Sequence, residues 1–421
     1  EELANGKGIR LAISDGYNSA YSSIIDANVT TLLTGIILYI FGSGPIKGFA
    51  TTLIIGILTS LFCAIFITRL FISYRLNKGK SISFSTNLTK GAFKNLNIDF
   101  IGKRKVFYVL STIVILFGGY SLSTKGLDYG IDFSGGRTYV VNIPDEAITN
   151  DDIKSSLSKV FVNENRSTQS IQVSKFNDLT EVDPNNPQKK VAVNAVKITT
   201  KYMIDSESLD ADSIVTATLL NGLGSDFTED NIVSYQKVAS TIADDIRSSA
   251  WGSIIFSLLV IFLYILVRFK KWQFSLGAVV AVFHDVLIVL SVFSIFYGVL
   301  PFSLEIDQAF IAAILTIIGY SLNDTVVVFD RVRENMETHK KKQVHEFINQ
   351  SLNSTLSRTI NTSLTTFFVL LIIFLFGGEV IKGFMFALMV GVVVGTYSSL
   401  FVASPIMLDT IKKKEEKVKR K

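Results

Sequence analysis

The residues of this chain best suited to chemistry are acids and bases set inside apolar runs. Gly319-Tyr320-Ser321-Leu322-Asn323-Asp324-Thr325 places a carboxylate within one such run, and Ala313, Thr316, Tyr320 and Asp324 share a face at helical spacings of three and four. An ionised group at the centre of a bilayer costs ~2.5 kcal/mol or more, so it is a functional candidate by default. A partly desolvated carboxyl group can alternate between neutral and charged forms, which is what a proton carrier needs. Ser357-Arg358-Thr359-Ile360-Asn361-Thr362-Ser363 opens a second run at the same depth. Arg358 keeps its charge, so it is expected to pair with ionised Asp324 and to be released when that acid takes a proton. The competing reading has Arg358 snorkelling to the membrane surface and Asp324 capping a helix end, six residues before Asp330, where the span is expected to end. His284-Asp285 is the deepest ionisable pair, suited either to a proton relay or to hydrogen-bonded glue between helices. Asp324, Arg358, His284 and Asp285, with Asn323 and Thr325 beside the acid, form the candidate proton-coupling set.

Other chemistries find little support. An intramembrane aspartyl protease needs two facing acids, one in a Gly-x-Gly-Asp setting, and Ser-Leu-Asn precedes Asp324. The segment 125–248 shows no metal cluster, nucleotide loop or nucleophile elbow, so contact with another polypeptide is its expected work. The single cysteine, Cys63, lies inside an apolar run, which rules out a disulfide within the chain.

The elements that must position these groups are membrane spans. In 421 residues, 48% are hydrophobic and mean hydropathy is +0.41, too apolar for a soluble protein. Eight apolar stretches, at 24–41, 46–72, 105–123, 250–268, 273–298, 307–329, 359–376 and 380–408, are each long enough to cross ~30 Å of hydrocarbon as a helix. The net charge of +5 gathers in alternate loops rather than in a nucleic-acid patch. Arg75, Lys78, Lys80, Lys90, Lys94 and Lys103 to Lys105 follow the second stretch; Arg268, Lys270 and Lys271 follow the fourth; Arg331, Arg333 and Lys340 to Lys342 follow the sixth. With the tail KKKEEKVKRK, this pattern places both termini in the cytoplasm and 125–248 outside. The chain opens on EELANGKG with no span before it and reads as part of something longer.

Residues 21–60 match 356–395 without a gap at an offset of 335. Pro45-Ile46-Lys47-Gly48-Phe49 aligns with Val380-Ile381-Lys382-Gly383-Phe384, and Asp26 and Asn28 align with Asn361 and Ser363. A small residue recurs every fourth position after each anchor: Gly48, Thr52, Gly56, Ser60 and Ala64 in one copy, Gly383, Ala387, Gly391, Gly395 and Ser399 in the other. Both stripes are expected to pack closely against another helix. Polar groups at the interface of such repeats are a transporter design.

The exported segment reads as βαββαβ, a ferredoxin-like order: strand 137–143, a helix capped at Thr149 or Asn150, strands 171–176 and 191–200, helix 213–223 and strand 231–238. NDLTEVDPNNPQKK, at 177–190, reads as a turn-rich excursion.

Two motifs carry a family resemblance. Gly130-Ile131-Asp132-Phe133-Ser134-Gly135-Gly136 resembles a SecF signature, in which Gly130, Asp132, Phe133, Gly135 and Gly136 are the matching positions, and GYSLNDTVVVFDRVREN at 319–335 resembles its other hallmark. Residues 1 to about 76 resemble the C-terminal end of SecD, with DANVTTLLTGIILYIFGSGPIKGF as the matching run, and about 90 to 421 a whole SecF, within the resistance-nodulation-division superfamily. The resemblance implies an α-helical polytopic inner-membrane protein with an α+β exported domain. It would be divided into 1–76 (SecD-like spans), 77–103 (cytoplasmic linker), 104–124 (first SecF-like span), 125–248 (periplasmic domain), 249–408 (SecF-like spans) and 409–421 (basic tail). It further implies a proton-motive-force-driven factor in protein export, with Asp324 and Arg358 on the proton path and no organic cofactor. Its partners would be the Sec translocon channel, unfolded secretory polypeptides, membrane lipids and protons, with no nucleic acid. The family also places an essential Asp in a helix upstream of Glu1. An exporter of small molecules or lipids and a passive scaffold of the translocon are the alternative readings.

Overall fold

The computed structural model describes residues 2–3, 6–42, 44–80, 82–83, 97–143, 148–162, 171–183, 186–206, 208–338 and 344–419. Glu1, most of the expected linker with Lys90 and Lys94, Lys340 to Lys342, and Arg420 and Lys421 lie outside them.

Among the described residues, eight helical segments are long and apolar enough to cross a membrane, one for each expected stretch. They are α1 (Ile9–Phe41), α2 (Gly44–Phe62) continuing into α3 (Thr68–Asn77), α4 (Arg104–Thr124), α8 (Ser240–Phe269), α9 (Trp272–Phe296), α10 (Gln308–Thr338), α11 (Val344–Phe376), and α12 (Glu379–Ser398) continuing into α13 (Ser404–Lys419). Several run past the hydrocarbon-length windows read from sequence. In particular, α10 continues through Asp330, which is buried, so Asp330 does not mark its end. The core of the bundle is α10, of whose most apolar window 78% is buried, packed on α1, α9, α11 and α12.

The two continuous spans α2–α3 and α12–α13 each contain a π turn, at Cys63–Ile67 and Ser399–Ala403. A hydroxyl five residues on closes each turn: Thr68 Oγ1 donates to the Cys63 carbonyl at 2.9 Å, and Ser404 Oγ to the Ser399 carbonyl at 3.3 Å. The repeat read from sequence therefore extends to an irregularity of the backbone.

Between α4 and α8 lie α5 (Ile131–Ser134), β1 (Gly136–Asn142), α6 (Asn150–Val160), β2 (Ile171–Asp183), β3 (Asn186–Thr200), α7 (Ala211–Leu223) and β4 (Ile232–Val238). The strands pair antiparallel in the order β2-β3-β1-β4, and the long elements follow the expected βαββαβ sequence. Thr149 caps α6: its hydroxyl accepts from Asp152 N at 3.3 Å, and the Asp152 carboxylate accepts from Thr149 N at 3.1 Å. Alternate residues of β1, Tyr139 and Val141, bury against Leu157 of α6 and Val215 and Leu219 of α7.

One expectation is overturned here. The stretch 177–190 is no excursion: β2 runs to Asp183 and β3 starts at Asn186, with Leu179 opposite Val193 and Glu181 opposite Val191. Asn186, inside that turn-rich run, pairs with Asp183, so the residue types that favour turns do not end pairing here.

Candidate functional site

Asp324 sits on the buried side of α10, 5% exposed, about 24 Å along the helix from Gln308 at a 1.5 Å rise. Ser363 Oγ of α11 donates to its Oδ2 at 3.3 Å, and Thr396 Oγ1 of α12 donates to Ser363 Oγ at 2.6 Å. Tyr320, one turn before Asp324, donates its hydroxyl to Thr366 Oγ1 at 3.2 Å. The salt bridge expected between Asp324 and Arg358 is not formed: among the described residues no ion pair joins them, although Arg358 is near enough for the two charges to interact. Arg358 is one turn and a half before Ser363 on α11, on a more exposed side than Thr359. Two polar atoms, Asn323 Oδ1 next to Asp324 in the chain and Thr359 Oγ1 next to Arg358, are buried without a protein partner among the described residues. Thr325 instead returns its hydroxyl to the Ser321 carbonyl at 3.2 Å.

His284 and Asp285 of α9 form a separate and saturated cluster. His284 Nδ1 is 3.0 Å from Asp285 Oδ1, and Nε2 is 3.0 Å from Ser111 Oγ of α4, which lies 2.9 Å from the Tyr397 hydroxyl of α12. Asp285 Oδ2 accepts from Ser321 of α10 at 2.6 Å and from Ser398 of α12 at 2.8 Å. Four helices thus meet on one His-Asp pair. Ser321 is one turn from Asp324, and Thr396 two residues from Ser398, so the two clusters are neighbours without a direct hydrogen bond between their acids.

A third cluster escaped sequence reasoning. Arg268, at the end of α8 farthest from the sheet, donates Nε–H to Asp26 Oδ2 of α1 at 2.6 Å and Nη2–H to Asp330 Oδ1 of α10 at 3.2 Å. Tyr264 donates to Asp26 Oδ1 at 3.0 Å, Ser23 donates to Asp330 Oδ2 at 3.1 Å, and Arg333 pairs with Asp330 at 3.0 Å. A run of loop charges hid Arg268, since a cation at a span end ordinarily reads as snorkelling. The signal that could have found it is Asp26, an acid inside an apolar run that needs a cation from somewhere.

The packing stripes divide. A Cβ on Gly391 would lie 2.2 Å from Ile317 Cγ1 and one on Gly395 3.0 Å from Ser321 Cβ, while one on Gly383 would lie 2.9 Å from the Ser303 carbonyl, so this stripe meets α10 and the loop before it. Gly48 and Gly56 meet nothing within 4 Å among the described residues, so the expected close packing of the first stripe is absent.

The GIDFSGG segment lies at the sheet end of the bundle. Gly130 N donates to the Ile306 carbonyl at 3.1 Å, Ile306 N donates to the Asp128 carbonyl at 2.6 Å, and Asp132 Oδ2 accepts from Gln308 N, the first amide of α10, at 3.1 Å. Phe133 enters the bundle core. Gly135, at φ +65°, brings the backbone so close to Ser240 that a Cβ would lie 3.1 Å from its Cα; Gly136, at φ +144°, lies against the Thr200 carbonyl. Nearby, Glu305 pairs with Lys197 of β3, and Asp307 Oδ1 accepts from Phe310 N at 2.7 Å. Burial pushes the Asp307 carboxyl up to about 6, against the opposing hydrogen bond from Phe310. Burial also raises Asp132, partly offset by the Gln308 amide.

A bundle with an internal repeat, acids held between its helices and a small sheet domain fused to one end defines a multi-pass membrane protein of transporter type. Comparison with known proteins gives the family. The model for "Protein export membrane protein SecD/SecF, C-terminal" matches residues 4–78 and 218–413, and the "SecD/SecF GG Motif" matches 120–142. The chain belongs to the SecD/SecF protein-export membrane protein family. It is 45% identical over 317 residues to the protein translocase subunit SecF of Rhodothermus marinus, covering 75% of this chain and 94% of that one. It is 32% identical to the protein translocase subunit SecDF of Brucella abortus, covering 97% of this chain and 50% of that one. The crystal structure of SecDF from Thermus thermophilus superposes with a TM-score of 0.81 at 27% identity, covering 98% of this chain and 51% of that one. The chain thus spans about half the length of its SecDF relatives.

Proposed function

We propose that the chain works in protein translocation, as a proton-motive-force-driven factor that assists the Sec channel at the inner membrane. The basic loops support a topology with both termini cytoplasmic and the sheet domain periplasmic, where it would meet unfolded secretory polypeptides. The names of the relatives, protein translocase subunits, support the general role. Nothing in the reading requires a metal or organic cofactor.

The observation that carries the proton-coupled part is the state of Asp324: buried, held by one serine hydroxyl at 3.3 Å, with a guanidinium near but unbonded. A fully paired acid would be a fixture of the fold, whereas one with a single long hydrogen bond can exchange partners. Loss of its proton would draw Arg358 of α11 inward, and regaining it would release Arg358. Because α10 and α11 pack directly, that exchange would shift one helix against the other. The orphan acceptors Asn323 Oδ1 and Thr359 Oγ1 give a proton or a hydrogen-bonded water polar company along the way.

The test is Asp324→Asn in the full chain, in membranes containing the channel. Gradient-stimulated secretion is expected to fall to the unstimulated level with the protein still inserted. Unchanged gradient dependence would refute the coupling role, and weakened assembly with unchanged dependence would point to a scaffold.

A further inference from the structure

The reading above needs a route from α10 to the part of the molecule that meets the secreted chain, and the GIDFSGG segment has the geometry of one. The chain enters the sheet domain through α5 and β1 and leaves it through β4 and α8. Both passages converge on this segment: Ile131 packs with Val238 and Ala243, and Gly135 lies against Ser240. The same segment is stitched to the start of α10 by the Gly130–Ile306 and Ile306–Asp128 backbone bonds and by the Asp132 carboxylate on Gln308 N. Lys197–Glu305 adds a link from β3 to the residues just before α10. From Gln308 to Thr338, α10 is one unbroken helix of 31 residues that also carries Asp324. An unbroken helix moves as a rod, so what displaces it near Asp324 displaces its head.

We infer that Asp132 is a positioning residue: by holding the first amide of α10 it fixes the helix head to the sheet domain, and so delivers the motion set by Asp324 to that domain. This rests on the proton-cycling reading of Asp324. A helix N-terminus leaves its first amides without intrahelical partners and favours negative charge, so a carboxylate supplied by another element is a strong, directional tether. Asp307 serves a different donor, Phe310 N, from inside the helix's own chain and cannot replace a link between elements.

Two substitutions separate tether from charge. Asp132→Ala removes the acceptor, and Asp132→Asn keeps an acceptor oxygen without the charge. Gln308→Pro deletes the donor while leaving Asp132 intact; proline is well tolerated at the first helical position, and Gln308→Ala controls for the side chain. Three readouts are taken on the full chain in membranes with the channel: gradient-stimulated translocation, proton uptake and release, and the distance distribution between spin labels at the exposed positions Lys154 on α6 and Lys47 on α2. Asp132→Ala and Gln308→Pro are expected to lower gradient-stimulated translocation about tenfold and to broaden the distance distribution, with proton exchange retained and Asp132→Asn largely restoring both. The inference is overturned if Gln308→Pro behaves like Gln308→Ala, if Asn fails to rescue, or if proton exchange falls in step with translocation. The label distances do not depend on proton coupling: should Asp324→Asn leave gradient dependence intact, the functional reading fails, while a broadened distribution in Asp132→Ala would still establish the mechanical joint.

Discussion

Asp285 and Asp324 are both buried acids in neighbouring helices of one bundle, yet their surroundings are opposite. Asp285, 1% exposed, receives two serine hydroxyls and faces its own histidine, and the helices α4, α10 and α12 close on the pair. Asp324 has one hydroxyl at 3.3 Å and a cation that has not closed on it. On the proposed reading, satisfaction marks a strut and under-satisfaction a moving part, because a hydrogen-bond network with every member paired resists rearrangement.

The largest expected effect lies on the strut. Asp285→Ala strands His284, Ser321 and Ser398 and should cost about 4 kcal/mol, read as a large drop in thermal unfolding in detergent. Retained stability would make Asp285 a second moving part and erase the contrast. Next comes Asp307, whose carboxyl is raised to about 6 from an ordinary value of 3.8. Its folded form prefers the proton, so the junction's contribution is whole below about 3.8 and is lost as pH rises through about 6, a change of at most about 3 kcal/mol. Hydrogen exchange at the head of α10, corrected for intrinsic rates, should therefore quicken between about pH 4 and pH 6, and Asp307→Asn should flatten that profile. Arg268→Gln leaves Asp26 without its cation and Asp330 with Arg333 alone, and should cost about 2 kcal/mol, less than a fully buried pair because the cluster is partly open. The smallest effect on stability, under about 1 kcal/mol, is expected for Asp324→Asn, although it should abolish gradient-stimulated secretion. A large stability loss there would make Asp324 a strut as well.

Much of this could be read from sequence, for reasons that differ by feature. The spans show because hydrocarbon thickness imposes a run length, and the repeat because glycine and its anchors sit at fixed spacing. The helix opening at Thr149 shows because a capping box is local. Asp324 was legible as an acid out of place, but its partner was not: Arg358 was the nearest cation by depth, while Ser363, one residue type among many hydroxyls, holds it. Arg268 and Asp26 are 242 residues apart, and no local pattern pairs them. Both strands of the β2–β3 hairpin were legible at 171–176 and 191–200, but not their extension through 177–183 and 186–190, because Pro, Asn and Asp signal turns even where pairing continues. Gly48 and Gly56 show that a smooth stripe states what a helix could accept, not what lies against it.

The π turn at Ser399–Ala403 bears on the span that contains it. Before the turn, Gly391 and Gly395 lie against α10; at its end and beyond it, the Ala403 carbonyl and Met407 come up against Gly277 of α9. A regular helix presents one continuous seam, and an extra residue in a single turn re-aims everything downstream. One span thereby keeps both α9 and α10 as neighbours while changing the face it turns to each. Were the surplus residue to migrate by a turn, the point at which the face changes would travel along the helix while its overall length stayed nearly fixed, so contacts could be traded by rotation rather than by sliding.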